Sequence, residues 1–120
     1  MVKIRSYTSL EQSKKLAEIL PLESADMCFN IHNNMPPLMT PYSKFKEFFN
    51  MEPTPAFLIP CWSLVASLKI IGHYTLQTVS KDKKVFIVSE ENYPICSDTY
   101  SEPIDACYEM IIKLHELNLL

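Results

Sequence analysis

A chain of 120 residues with 48% apolar side chains, 21% charged side chains and a net charge of −3 has the size and composition of one globular domain, neither disordered nor fibrous. Its single glycine, Gly72, excludes phosphate-cradling loops, dinucleotide fingerprints and nucleophile elbows, all of which need backbone at positive φ or in close approach to a ligand. Basic residues cluster only at Lys81, Lys83 and Lys84, interrupted by Asp82, so no patch of the kind that binds nucleic-acid backbone is expected.

Thr8 followed by Glu11 reads as a capping box, predicting a helix from about Ser9 to Leu20 that Pro21 ends. Leu10, Leu16, Ala17 and Leu20 fall on its inner face. Met27, Phe29 and Ile31 alternate with polar residues and suggest a short strand. The next stretch, residues 35–60, holds six of the nine prolines yet is rich in Leu, Met, Phe and Tyr. Proline breaks regular elements, so the segment reads as irregular, with one short helix over residues 43–50 that puts Phe45, Phe48 and Phe49 on one face.

Pro60 and Gly72 then bracket a helix, CWSLVASLKII, that is apolar nearly all round and expected to be buried, with Trp62 in its first turn. YTLQTV and KVFIVS read as a β-hairpin, and residues 95–100 as a third strand that would make a meander. The last helix, about Pro103 to Leu117, carries the broadest apolar stripe: Ile104, Cys107, Met110, Ile111, Leu114 and Leu117. The expected fold is therefore α+β, a single domain over residues 1–120 with helices packed on one face of a small two- or three-stranded antiparallel sheet.

Chemistry-bearing residues are sparse. Among Cys28, Cys61, Cys96, Cys107, His32, His73 and His115 there is no CxxC, HxxxH or HExxH spacing, so no metal and no cofactor is expected. Cys61, in the first turn of the expected helix, is the best-placed reactive thiol, with His32 or His73 as a base. The acidic run Asp98, Glu102, Asp105 and Glu109 is explained by favourable negative charge at a helix start. Apolar runs reach four residues, as at 56–59, against about 20 for a bilayer span, and the first ten residues hold no signal-like apolar block, so a cytoplasmic protein with reduced thiols is expected.

The proline-rich segment is the candidate contact region. A solvated linker would be polar, so its large apolar groups either cover the core or meet a partner. Met39, Tyr42, Phe45, Phe49 and Trp62 are of the residue types that anchor interfaces or line pockets. The reading is a non-enzymatic accessory protein acting through protein contacts, with itself as a homodimer or with another protein. The alternative is a small-ligand binder or minor enzyme with a pocket between the sheet and the proline-rich segment.

TSLEQSKKLAEILPLESADM, PCWSL and EPIDACYEMIIKLHELNLL resemble a group of small uncharacterised proteins from gut Bacteroides genomes and their phage-like mobile elements. The resemblance implies a bacterial cytosolic setting and an accessory role in a mobile element. It brings no functional residue with it.

Overall fold

The computed structural model describes residues 5–32, 36–54, 57–79, 84–90 and 95–120. They are of the α+β class, with four α-helices and two two-stranded antiparallel sheets. The chain packs as two units, Tyr7–Ala66 and Ser67–Leu120 with residues 5–6.

In the first unit, helix α1 (Leu10–Ile19) opens on a capping box one residue later than expected: Ser9 Oγ accepts the Gln12 N–H at 3.1 Å and Gln12 Oε1 accepts the Ser9 N–H at 3.0 Å. The shift has a tertiary cause. Thr8 is fully buried and committed elsewhere: its N–H donates to the Trp62 carbonyl at 2.9 Å, and its Oγ1 accepts the Trp62 N–H at 3.2 Å and shares a 2.7 Å hydrogen bond with Ser13 Oγ. The helix stops at Leu20, whose extended backbone precedes Pro21.

Strand β1 (Met27–Asn30) forms where the alternation suggested, and its partner is β2 (Leu58–Cys61), in the register Met27↔Cys61, Cys28↔Pro60, Phe29↔Ile59 and Asn30↔Leu58. This corrects the placement of Pro60 at a helix start. Proline is tolerated in β2 because Cys28, opposite it, turns its own N–H and C=O the other way, to Leu38 at 3.2 and 2.7 Å. Cys28↔Pro60 is thus a non-hydrogen-bonded pair, and the missing N–H leaves this ladder intact. Trp62 follows the strand instead of opening a helix. Helix α3 (Leu64–Ile71) is started by Ser63, whose Oγ accepts the Ala66 N–H at 3.1 Å, while the Ser63 N–H donates to Asp26 at 2.9 Å. It is less buried than its composition suggests: Ala66, Ser67 and Ile71 are inside, but Val65 faces solvent. Between β1 and β2 lies α2 (Phe45–Phe49), entered through a 3₁₀ turn at Tyr42–Lys44. α1 packs on β2, and Cys28, Phe45 and Leu58 form a core cluster closed by Leu38, Tyr42 and Phe57.

In the second unit, β3 (Tyr74–Val79) and β4 (Lys84–Ser89) pair over all six residues as the expected hairpin. The expected third strand is present only as two bridges, Val88↔Cys96 and Val85↔Tyr100. Between them β4 advances three residues and its neighbour four. The extra residue is a bulge, and there Ser97 Oγ, not a carbonyl, accepts the Ile87 N–H at 3.0 Å. Helix α4 (Pro103–Glu116) has Pro103 in its first turn and packs on β4, with Ile87 of the strand and Ile104, Cys107, Met110, Ile111 and Leu114 of the helix all buried. Leu117, expected at the edge of that stripe, lies past the helix end and is exposed. Arg5 fastens to the start of α4, with its backbone N–H on Glu102 Oε1 at 3.0 Å and its guanidinium bridging Glu102 and Asp105. A single sheet with helices on one face is therefore replaced by two sheets, each with its own covering helix.

Gly72 closes α3 as expected, at φ +83° with its N–H on Leu68 O at 3.1 Å. A Cβ there would meet nothing within 4 Å, so backbone strain alone opposes substitution. Gly72→Ala is predicted to cost about 1 kcal/mol and Gly72→Asn less, because asparagine tolerates the left-handed region. Thermal or urea unfolding checks this, and an alanine variant as stable as the parent would contradict it.

Candidate functional site

The proline-rich segment divides into an inner and an outer set of side chains, and the division follows from the shortness of α2. Five residues between the 3₁₀ turn and Asn50, which ends the helix at φ 54°, give one inward position. Phe45 takes it. Its ring stacks on Phe49 at 4.8 Å and lies 5.9 Å from Phe57, and the residue is buried against Cys28 and Leu58. Phe49 covers Phe45 with one face and leaves 45% of itself exposed. Phe48, expected on the same face, points outward at 68% exposure, joined in exposure by Met51 at 55% and Met39 at 82%. Tyr42 is half-buried at the margin of the core.

The charged residues around these groups are balanced. Lys44 pairs with Glu47 at 3.8 Å, and Lys46 pairs with Glu52. Exposed ion pairs of this kind add little stability. They put charges of both signs in the same stretch of chain as the exposed apolar groups.

Trp62, one of the expected anchors, has no exposed surface. Its indole N–H donates to Ser24 Oγ at 2.9 Å and its backbone is locked to Thr8, so it serves the core. Phe45 does the same. The outward anchors are Met39, Phe48, Phe49 and Met51; the period of the helix could not single out Phe48 and Met51, because nothing in sequence fixed how few residues α2 would have.

Cys61 ends a strand, so the helix dipole expected to activate it is not aligned on it. The thiol is buried, donates to the Thr8 carbonyl at 3.5 Å and lies 3.6 Å from Thr8 Oγ1. Burial pushes its pKa up, with the nearby Asp26 carboxylate adding to the shift and the bonds to Thr8 and Ser13 opposing it. That is the opposite of thiolate activation. His32 is exposed, past the Asn30 end of the ribbon, with its N–H on Asn30 Oδ1 at 3.0 Å, whereas Cys61 sits at the Met27 end. His73 is exposed in the second unit, with its carbonyl accepting the Glu90 N–H at 3.1 Å. The acidic run is used internally: Glu102 and Asp105 hold Arg5, while Glu109 accepts the Asp98 N–H at 2.6 Å and lies 3.9 Å from Lys113 Nζ. Among the described residues no group of three or more His, Cys, Asp or Glu side chains is placed to hold a metal ion, and no helix is long and apolar enough to cross a membrane.

No protein-family model matches this chain, and neither a curated protein nor a solved structure does.

The four cysteines are free, and Cys96 alone is exposed. Burial raises Cys28 to about 11, with Cys61 adding to the shift, and Cys107 to about 12. Native protein at neutral pH is predicted to react rapidly with a thiol reagent at Cys96 only, and at all four positions once unfolded. Rapid native labelling of Cys61 would contradict the geometry. Because the folded thiols hold their protons to higher pH than unfolded ones, stability falls as pH rises above the ordinary value of 9.0, through about 11 for Cys28 and about 12 for Cys107. Denaturant melts across that range check the sign; stability that rises with pH there would refute it.

Proposed function

We propose that this chain is a small non-enzymatic accessory protein of the cytoplasm, associated with a mobile element, that works through protein–protein contacts made by the surface around α2. The observation that supports the reading is the outward placement of Phe48, with Phe49, Met39 and Met51 nearby in the chain, on a framework that Phe45 fixes from below. Such side chains lose favourable burial when left in water, about 1.5–3 kcal/mol each for full burial, and regain it against a partner. Their types and the charge-balanced margin match the apolar centre and polar rim of an interface. Free thiols, three of them buried, are in keeping with a reducing compartment.

The reading is tested by comparing the parent chain with Phe48→Ser/Met51→Ser, both recovered under native conditions from producing cells. Because both residues are exposed, unfolding free energy is expected to change by no more than about 0.5 kcal/mol. Specific co-purifying protein is expected to fall by roughly tenfold or more, equivalent to about 1.4 kcal/mol per decade. If parent and variant retain the same proteins in the same amounts, the contact surface lies elsewhere.

A further inference from the structure

Among the described residues, the β3–β4 hairpin is paired on one side only. Along an antiparallel strand the backbone groups of successive residues point to alternate sides, so the direction of each residue in β4 settles that of its partner in β3. Val85 exchanges hydrogen bonds with Tyr100 at 2.7 and 2.8 Å, the Ile87 carbonyl accepts the Ser97 N–H at 2.9 Å, and the Ser89 N–H donates to Ile95 at 3.0 Å. Those residues face away from β3. Lys84, Phe86 and Val88 are left to bond Val79, Gln77 and Thr75. The N–H and C=O groups of Tyr74, Leu76 and Thr78 consequently point out of the other side of β3, where no described residue pairs with them.

Proteins blunt such an edge with charge, proline, a bulge or brevity. β3 uses none of these: YTLQTV contains no charged residue and no proline, and it stays in register with β4 over its full six residues. Leu76, in the middle of the outward set, is 44% exposed. The strand is also complementary to itself. Laid antiparallel on a second copy with Leu76 opposite Leu76, it sets Tyr74 opposite Thr78 and Thr75 opposite Gln77. Each outward residue then exchanges N–H and C=O with its counterpart, an aromatic side chain meets a β-branched one, and no like charges meet.

We propose that the β3 edge is a self-association site, at which two copies of this chain join about a two-fold axis at Leu76 into one sheet ordered β4–β3–β3–β4. The two-fold closes the contact on itself and covers both edges, which a bound peptide would not do. The site lies in the second unit and does not depend on the aromatic surface around α2.

The test is sedimentation velocity or native mass spectrometry of the full chain over a wide concentration range, for the parent, Leu76→Lys and Leu76→Glu, with circular dichroism as the folding control. The parent is expected to dimerise. Each variant is expected to be monomeric, because like charges face each other at the axis, and an equimolar mixture of the two is expected to recover a mixed dimer. In a Cys96→Ser background, Leu76→Cys supplies a second measurement: mild oxidation is expected to join two chains at this position. A parent that stays monomeric at every concentration would overturn the proposal. So would a dimer that survives Leu76→Lys, or one that is lost in Phe48→Ser/Met51→Ser and kept in Leu76→Lys.

Discussion

The arrangement of residues 7–66 depends on how the two residues after β2 are held. Trp62 gives its backbone N–H to Thr8 Oγ1, takes the Thr8 N–H on its carbonyl and gives its indole N–H to Ser24. Ser63, the next residue, bonds Asp26 and caps α3. One turnless stretch of chain therefore fixes the start of α1, the approach to β1 and the start of α3. Every one of these bonds involves a buried or half-buried group, so the loss of a partner would leave a desolvated donor or acceptor and cost more than the bond itself contributed. Thr8 cannot serve both this junction and the helix cap, and the cap moves to Ser9.

That competition explains which elements were legible in sequence. α1, α4 and the β3–β4 hairpin carry their own signals: an apolar stripe at helical spacing, alternation of β-branched residues, and a proline or glycine at the right end. Local physics decides them, and they form close to the expected boundaries. β2 was hidden because LIPC contains a proline, which ordinarily argues against a strand. It is allowed here by the direction in which Cys28 turns its backbone, a fact about Leu38 that no local pattern carries. Ser63 was the overlooked helix start, obscured by the stronger proline-start signal three residues before it.

The candidate surface was legible as a region and not as a set of residues. A proline-rich stretch this apolar had to lie against something, and part of it does: Phe45 and Leu58 are buried in the first unit's core, as is Trp62 just beyond the stretch. What composition could not supply was the split, since three phenylalanines within five residues look alike until the helix is seen to have one inward position. The environment of Cys61 is likewise set by β2 and Thr8 and not by a helix terminus. What is left outward is Met39, Phe48 and Met51, with Phe49 half-covering Phe45.

The central structural claim, that the Thr8–Trp62 junction is buried and closes the first unit, is open to one direct measurement because Trp62 is the chain's single tryptophan. Its fluorescence in native protein is expected to be blue-shifted and inaccessible to iodide, with a red shift and full quenching appearing together on unfolding. A native spectrum that is already red-shifted and freely quenched would place Trp62 in water and contradict the account.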